Sequence, residues 1–314
     1  MNETGKIITL HVGLIALLFA MNFILPAYHH GNIARVMVLA SYAIGYNILF
    51  GYTGLLSLGH ALFFAAGMYG MGLAIRFLGA SPVPALLAGI AVGALLSAAV
   101  GALALRTTGV AFMIVTLMFA QAGYLTILLF GEWTRGDEGF VIQQAERILW
   151  GIDLSDANNR YLAALLLFGC CLLLSLWLIR LPVGRVFVAI RENEERAKLL
   201  GYDVVRYKLA AVVVSASFAA AAGASYGLLF GYVGATFATV QYSIFPLLWV
   251  LLGGTGTIIG PFIGAVFMFY LIDLSSGVTN AYMLIAGIVL VLLTLFAPQG
   301  IMGELRRRVW AWLP

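Results

Sequence analysis

The sequence predicts an all-α protein that folds as a polytopic helical bundle in a membrane, and three properties of the chain support this prediction. Of the 314 residues, 63% are hydrophobic and only 10% are charged, and the mean hydropathy is +1.03. A soluble domain normally carries about a quarter charged residues, and surface-to-volume scaling limits how much apolar surface it can bury. The apolar residues also fall in runs of about 20, which is the length needed to cross a bilayer. We therefore interpret residues 1–314 as a single membrane domain.

Ten apolar runs are candidate spans. They are approximately 7–27, 36–52, 57–78, 83–105, 109–130, 160–180, 208–231, 242–256, 259–274 and 281–297. The first run is long for a signal-peptide core and lacks an A-x-A cleavage site, so we interpret it as an uncleaved span. The pair around 242–274 is open between two short crossings and one helix broken by glycines.

The distribution of Lys and Arg orients these spans. Seven basic residues lie between Arg180 and Lys208, whereas the loop 131–159 has two basic and six acidic residues. Since loops rich in Lys and Arg stay in the cytoplasm, we expect the loop 181–207 to be cytoplasmic and the loop 131–159 external. The basic residues 306–308 favour a cytoplasmic C-terminus, which requires an even number of crossings after residue 208. Ten crossings with both termini cytoplasmic meet this condition, as do eight crossings with one re-entrant segment.

Several classes of protein are disfavoured by what the spans lack. No Asp, Glu, Lys or Arg falls inside the apolar core of a predicted span, which argues against a proton-driven carrier. Sodium coupling through backbone carbonyls leaves no charge signature and stays open. The chain has no G-x-x-x-x-G-K-[ST] motif to bind ATP and no catalytic constellation, so an enzyme is not expected. Cys170 and Cys171 lie side by side in an apolar run and fit helix packing rather than a metal site, and the spread of basic residues does not fit nucleic-acid binding.

The segment 180–208 predicts a short amphipathic helix. Pro182 and Gly184 end the preceding span, and we expect a helix from about Arg185 to Leu200 with Gly201 as its left-handed C-cap. An apolar stripe and an outward polar face fit this helix. The stripe comprises Val186, Ala189, Ile190, Ala197 and Leu200, and the outward residues are Arg191, Glu192, Glu194 and Arg196.

Two glycine-rich segments, 49–60 and 251–261, resemble each other. Dense glycine weakens a helix, and backbone groups freed within a membrane must be satisfied by protein or by a water-filled cavity. Such interrupted spans indicate a transport path, but two tight turns at the cytoplasmic surface explain the pattern equally well. His60 taken alone fits a hydrogen-bonding cap better than a ligand group. The candidates for the transport path are Gly51, Thr53, Gly54, Ser57, His60, Gly253, Gly254, Thr255 and Gly256.

Two further segments have weaker signals. The stretch 215–225 is rich in small side chains, which let helices approach closely in lipid, so we expect it to serve packing. The external loop offers candidates for a gate or for a dock for an extracytoplasmic binding protein, although an ordinary solvated loop is slightly favoured. These candidates are Thr134, Gly136, Asp137 and Gly139.

Five short motifs occur in order between residues 36 and 303. They are GLLSLGHALFF at 54–64, TGVAFMIVTL at 108–117, AIRENE at 189–194 with YKL at 207–209, LGGTGT at 252–257 with GP at 260–261, and APQGIMG at 297–303. Together they resemble the LivM-type permeases of branched-chain amino acid ABC importers. One departure is TRGDEG at 134–139, where this family usually has Thr-Gly-Gly with a small or polar residue before the next glycine. The external gate and the exact substrate therefore stay open.

The resemblance implies a type II-like ABC importer permease in a bacterial inner membrane. Two permease subunits, identical or sister chains, would pair with two ATPase subunits and receive substrate from an extracytoplasmic binding protein. The substrate would be leucine, isoleucine, valine or a similar hydrophobic amino acid. ATP would be bound by the partners, so no cofactor is expected in this chain. Importers of urea and other amides use sister permeases and are an alternative, and a stand-alone carrier or channel is a weaker one.

The segment 180–208 is similar to the cytoplasmic coupling loop of these permeases, with its Glu-Ala-Ala…Gly-like pattern. In that family the helix docks in a groove on the ATPase, and a rigid rod can transmit a domain motion that a floppy loop cannot. Docking is favoured over a solvated interhelical loop. The residues expected to couple to the ATPase are Arg185, Ala189, Ile190, Arg191, Glu192, Asn193, Glu194, Arg196, Ala197 and Gly201.

Overall fold

The computed structural model describes residues 3–297 and 299–308. The helices are α1 Glu3–Met21, α2 Ala27–Asn47, α3 His60–Leu78, α4 Pro82–Ala104, α5 Val110–Leu129, α6 Gly131–Thr134, α7 Ala157–Arg180, α8 Pro182–Glu192, α9 Glu194–Leu199, α10 Val204–Phe230, α11 Val240–Gly253, α12 Gly260–Ser276, α13 Tyr282–Phe296 and α14 Gly300–Arg308. The strands are β1 Phe140–Val141, β2 Ile148–Leu149, β3 Ile152–Asp153 and β4 Tyr232–Val233. A π-helical turn over Ile48–Tyr52 extends α2, and 3₁₀ turns occupy Gln144–Arg147 and Ala235–Ala238. The predicted helical membrane bundle is confirmed.

Each of the ten predicted apolar runs lies on a helix for most of its length. Six described helices are long and apolar enough to cross a membrane by length and composition: Ala27–Tyr52, α3, α4, α5, α7 and α10. Shorter apolar helices cover Gly5–Met21, Val240–Gly253, Gly260–Ser276 and Tyr282–Leu293. The 27-residue α10 lies at the centre, where it packs against α2, α3 and α4.

The two ends of the bundle differ in chemistry. At one end, here called the basic end, α8 and α9 lie against the start of α10, where Lys208 pairs with Glu194. At the other, the strand end, β1 pairs antiparallel with β4 and β2 with β3. Twelve of the 17 Lys and Arg residues lie at the basic end. Residues 1, 2 and 309–314, to which the prediction of cytoplasmic termini refers, and Pro298 of the last motif are outside the described residues.

The first turns of α2 depart from the predicted span 36–52, because the helix already begins at Ala27 after Pro26. These turns carry polar side chains, and residues outside α2 supply their hydrogen-bond and ring partners. The ring of His30 stacks on Tyr161 of α7 with centroids 4.4 Å apart, and its Nε2 lies 2.9 Å from the side-chain oxygen of Asn22. Buried polar contacts between helices therefore extend a span that the apolar pattern alone cuts short.

The helix predicted from residue 57 begins only at His60. Residues 53–59 are non-helical and lead into the bundle. His60 is hydrogen-bonded to Ser215, the twelfth residue of α10, so α3 starts well inside the bundle. Its C-terminal half reaches the strand end, where Gly72 lies against Phe140 and Val233.

The uncertain pair around 242–274 is two helices, α11 and α12, that pack on each other as a hairpin. The 14-residue α11 is about 21 Å long at 1.5 Å per residue, too short for the full hydrocarbon core. It also begins inside the bundle, since the Tyr42 hydroxyl donates to the carbonyl of Tyr242 (3.0 Å). The chain reaches this point from β4 through the turn Ala235–Ala238, in which Phe237 is buried. α11 therefore resembles a re-entrant half-helix.

Candidate functional site

The predicted helix from Arg185 to Leu200 is broken into α8 and α9 at Asn193. The backbone of Asn193 is extended (φ −160°), and its side-chain oxygen accepts from the amide of Arg196 (2.8 Å), which caps α9. Asn is a strong N-cap residue, and this local bond competes with a continuous helix. The predicted left-handed conformation of Gly201 is present (φ +87°). The expectation of one helix is thus wrong, and the segment is a bent pair.

The apolar stripe of this pair is largely as predicted. Val186, Ile190 and Ala197 are buried, and together with Val204 they form a small cluster under the two helices. Leu200 departs from the prediction, because it is 69% exposed and lies beside Leu199, which is 88% exposed. Both follow the last buried position of α9, so their side chains project from the tip of the pair.

Glu194 fixes α9 to α10. Its Oε2 lies 2.6 Å from Nζ of Lys208, whose side chain is only 11% exposed. Burial would raise the pKa of Glu194, but the hydrogen bonds and charges of Lys208 and Lys198 outweigh this and hold the pKa below its usual value. Glu194 is therefore not simply outward-facing, as the helical periodicity predicted.

Arg191 is exposed, as the outward orientation predicts, but its side chain also reaches the end of α2. Its guanidinium donates to the backbone carbonyl of Gly51, at the end of the π-helical turn that extends α2. A Cβ built on Gly256 would lie 2.9 Å from the same Nη1 atom, and one on Gly54 would lie 3.1 Å from the Arg191 side chain. Arg191 thus connects α8 to both glycine-rich segments.

The two glycine-rich segments meet at the basic end through Asn47, a residue that the sequence analysis did not single out. Its amide nitrogen donates to the carbonyl of Thr257 (2.8 Å), and its oxygen accepts from the backbone N–H of Gly256 (3.0 Å). Gly256 has a left-handed backbone (φ +71°), which suits glycine. The signal in the sequence was a lone Asn in an apolar span, since such residues are costly in a membrane and need partners.

Most of the transport-path candidates are buried within the chain rather than at surface turns. The buried residues are Gly51, Thr53, Ser57, His60, Gly253, Gly254 and Gly256. Thr255 is half-buried and Gly54 is exposed. Gly54 and Thr53 line a cleft of about 280 Å³ at the basic end, together with the loop 105–109 and with residues 190–194 of α8 and α9. Whether substrate passes these residues remains a prediction.

His60 is hydrogen-bonded on both ring nitrogens. Nε2 lies 2.7 Å from the Ser215 hydroxyl of α10, and Nδ1 lies 3.3 Å from the hydroxyl of Ser57. The ring bonds two side-chain hydroxyls and does not cap α3, whose N-cap residue is Gly59, so the expected cap is not formed. The ring also gives Ser215, which the sequence analysis assigned to packing, a polar contact between helices.

The start of α3 is tied to three more helices. The amide of Ala61 donates to the Ser243 hydroxyl of α11 (3.0 Å), and the amide of Leu58 donates to Thr116 of α5 (3.1 Å). The hydroxyl of Tyr46 in α2 donates to the carbonyl of Ser57 (2.8 Å). The backbone groups freed by the glycine-rich segment are thus satisfied by protein, as they must be inside a membrane.

The external-gate candidates form a tight turn at the strand end. The Thr134 hydroxyl donates to the carbonyl of Ile127 (2.6 Å) and accepts from the amide of Gly136 (3.1 Å). Gly139 is left-handed (φ +67°) and lies against Gly234, just after β4. Asp137 is exposed. Within residues 3–297 and 299–308, no group of His, Cys, Asp or Glu side chains could hold a metal ion.

Comparison with known proteins identifies the family. Residues 31–297 match the family model described as the branched-chain amino acid transport system / permease component. The chain belongs to this family. The permease is 32% identical over 298 residues to the high-affinity branched-chain amino acid transport system permease protein LivM of Salmonella typhimurium, covering 86% of this chain and 69% of that one. The Escherichia coli LivM is 31% identical with the same coverage.

Another relative of the permease has a different role. The autoinducer 2 import system permease protein LsrC of an Enterobacter species is 30% identical over 196 residues, which cover 60% of this chain and 54% of that one. No solved structure matches the permease.

Proposed function

We propose that this permease is the membrane-spanning subunit of an ABC importer that moves branched-chain or other hydrophobic amino acids across a bacterial inner membrane. Separate ATPase subunits drive it, so the chain has no catalytic role of its own. The observation that carries this proposal is the Arg191 contact. One side chain of the docking pair α8–α9 touches both Gly51 and Gly256, which belong to different glycine-rich segments.

The geometry supports a route for the power stroke. Leu199 and Leu200 present exposed apolar side chains at the tip of α9, as a docking surface for an ATPase groove requires. The Glu194–Lys208 pair and the apolar cluster around Ile190 fix α8 and α9 to the start of α10. A displacement of the docking pair then reaches the end of α2 and the α11–α12 turn through Arg191.

The proposal includes the partners of the permease. Two ATPase subunits dock at the basic end, and a sister or identical permease subunit completes the path. An extracytoplasmic binding protein delivers substrate at the strand end, with the turn containing Thr134, Gly136, Asp137 and Gly139 as the candidate gate. The excess of Lys and Arg at the basic end supports a cytoplasmic position for that end.

The amino-acid substrate is supported by the LivM relatives at 31–32% identity over most of the chain. The LsrC relative is named for autoinducer 2 import, so related permeases serve chemically different substrates. A same-type permease for urea or short amides is therefore the second candidate. A stand-alone carrier or channel is less well supported, because such a protein has no ATPase subunit for the docking pair to bind.

Reconstitution of the complete importer tests the proposal. The double variant Leu199→Asp/Leu200→Asp should lose ATPase association and ATP-driven leucine uptake, whereas Trp150→Asp, at an 87% exposed position of the strand end, should retain both. Arg191→Gln should keep the ATPase bound but lose uptake. Leucine uptake by the permease alone, driven by an ion gradient, would establish a carrier instead.

A further inference from the structure

Three arginines surround the end of α10 at the strand end. The guanidinium carbons of Arg35 and Arg160 lie 5.3 and 5.6 Å from the centroid of the same ring, Phe230. Arg147 donates to the carbonyl of Leu229 (3.3 Å), and its guanidinium packs against Gly231. Arg160 is close enough to Arg35 and Arg147 for their charges to act on it. We call Arg35, Arg147 and Arg160 the arginine cluster.

The arginine cluster lacks counter-ions among the described residues. None of its members takes part in an ion pair within 4 Å in residues 3–297 and 299–308. The Nε atoms of Arg147 and Arg160 are buried and have no hydrogen-bond partner there.

Two acids near the arginine cluster already accept other hydrogen bonds. Asp156 caps α7 by accepting from the amides of Asn158 and Asn159. Asp153 accepts hydrogen bonds from Ser155 and Gln144, and these bonds hold its pKa below the usual value. The charges of Asp156 and Asp153 offset part of the positive charge, but neither carboxylate forms an ion pair within 4 Å with the arginine cluster among residues 3–297 and 299–308.

Such a cluster is costly unless it has a ligand. Like charges repel, and ionisable groups within membrane-spanning segments, such as Arg35 in α2 and Arg160 in α7, are candidates for functional sites by default. The guanidinium fork matches the geometry of a carboxylate, which it binds through two parallel hydrogen bonds. The unpartnered Nε atoms are donors of this kind.

An aromatic row leads away from the arginine cluster. Phe230 contacts Tyr226 (centroids 4.6 Å apart), which contacts Phe237 at 4.9 Å, and Phe237 contacts Tyr242 at 4.9 Å. The row continues along α11 through Phe245 and Trp249, at 5.5 and 5.7 Å. Arg35 is exposed and lies over the ring of Phe230, the first member of the aromatic row. Positive charge therefore stands at one end of the aromatic row, in which Tyr226, Phe230, Tyr242 and Phe245 are half-buried and Phe237 and Trp249 are buried.

We propose that the arginine cluster binds the α-carboxylate of the amino-acid cargo at the strand end, while the apolar side chain of the cargo lies on the aromatic row. This proposal rests on the proposed function and adds the residues that receive the substrate. An acidic side chain of the binding protein or a phospholipid phosphate has related chemistry. The aromatic row favours the cargo, because it supplies the apolar contact that a branched side chain needs.

Arginine modification provides a direct test on the assembled importer in nanodiscs. Phenylglyoxal reacts with guanidinium groups, and mass spectrometry locates the products. L-leucine should prevent modification of Arg35 and Arg160, whereas L-leucinamide, which lacks the carboxylate, should not. Arg76 is the matched control, since it also lies at the strand end over aromatic rings but outside the arginine cluster.

Several results of this experiment would overturn the inference. Equal protection by both compounds would show that no carboxylate is recognised, and an Arg35 that never reacts would show that another molecule covers the site. Reactivity that follows the anionic lipid content of the nanodisc and ignores leucine would assign the site to a phospholipid.

Variants separate the cargo from the binding protein as the source of the carboxylate. The double variant Arg35→Gln/Arg160→Gln should lower leucine uptake by about tenfold or more, the scale of a lost charge-assisted hydrogen bond. Stimulation of the ATPase by the loaded binding protein should stay unchanged, and Arg76→Gln should behave as wild type. If stimulation falls together with uptake, the arginine cluster docks the binding protein and the inference is wrong.

Two controls keep the result interpretable. Arg35→Gln alone, at an exposed position, should assemble even where the double variant does not, and it should show a smaller loss of uptake. Absence of leucine uptake by the wild-type importer would refute the proposed function itself. Normal wild-type uptake with no protection by leucine would refute only the carboxylate site.

Discussion

Asn47 lies where the end of α2 faces the turn between α11 and α12, and both ends of its amide are used. One buried carbonyl, of Thr257, and one buried N–H, of Gly256, depend on it. Removing one partner of a buried hydrogen bond leaves the other with its full desolvation cost. Asn47 is therefore a structural joint between the two glycine-rich segments.

The variant Asn47→Ala should lower the free energy of unfolding by about 2 kcal/mol or more, because two buried backbone groups lose their partner. Ser41→Ala is the matched control, since its hydroxyl bonds the carbonyl of Met37 in the same helix. Thermal unfolding in detergent measures both variants. Equal melting temperatures for the two would show that the amide bridge contributes little.

Gly256 is constrained in two ways, by a left-handed backbone and by its contact with Arg191. Gly256→Ala should cost about 1 kcal/mol for the backbone and should also displace the guanidinium from Gly51, so that uptake falls while ATP hydrolysis continues. Gly79→Ala is the control for backbone strain alone, because Gly79 is also left-handed (φ +60°) but has no atom within 4 Å of a built Cβ. Coupled transport and ATPase assays on both variants test this. Equal uptake in the two variants would contradict a coupling role.

At the scale of elements, the pair α8–α9 shows what the sequence could predict. The apolar stripe and the C-cap at Gly201 follow from periodicity and glycine chemistry, and both are present. The break at Asn193 depends on its contact with Arg196, and the attachment of Arg191 to α2 depends on Gly51, which lies 140 residues away. Such long-range contacts leave no periodic pattern, so the bond from the exposed Arg191 to Gly51 could not be predicted.

The Glu194–Lys208 pair makes the attachment of α9 sensitive to acid. The pKa of Glu194 is lowered in the folded chain, so its contribution to stability is present above its ordinary value of 4.5 and is lost as the pH falls through the lower folded value. Glu194→Gln at neutral pH should likewise loosen α9, because Lys208 loses its acid. Hydrogen exchange of the α9 amides measures both effects.

Glu195→Gln is the matched control for this prediction. Glu195 pairs with Lys198 at the surface and its side chain is 79% exposed, and such pairs contribute little. Its exchange rates should match those of the wild type. Equal protection of α9 in the two variants would mean that the pair does not hold α9 in place.

At the scale of the whole molecule, the apolar runs predicted the helices well because composition alone decides whether a segment enters lipid. The polar start of α2 was missed because the partners of His30 lie outside its own helix. Tyr161 is on α7, and Asn22 lies just after the end of α1. The pair around 242–274 was left open between two short crossings and one helix broken by glycines, because dense glycine fits both. The two glycine-rich segments contact each other only through tertiary packing, which the similarity of their sequences does not predict.

The orientation of the bundle gives a prediction for intact cells. In a background with Cys170→Ser and Cys171→Ser, a cysteine introduced by Leu199→Cys at the basic end should resist a membrane-impermeant maleimide until the cells are opened. One introduced by Trp150→Cys at the strand end should react at once. Both positions are highly exposed in the chain, so the difference reports sidedness. Rapid external labelling at residue 199 would reverse the orientation and remove the docking proposal.

The hairpin of α11 and α12 has a mechanical consequence. The backbones of the two helices touch where Gly264 meets Trp249 and where Gly253 meets Gly260, which leaves little room for one helix to slide on the other. The hairpin should then tilt as a stiff lever. Its outer arm is the Gly256 turn beside Arg191. Its inner arm is Ser243, whose hydroxyl accepts from the amide of Ala61 at the start of α3. A small push on the turn would thus loosen the start of α3 deep in the bundle, with no need for either helix to unwind.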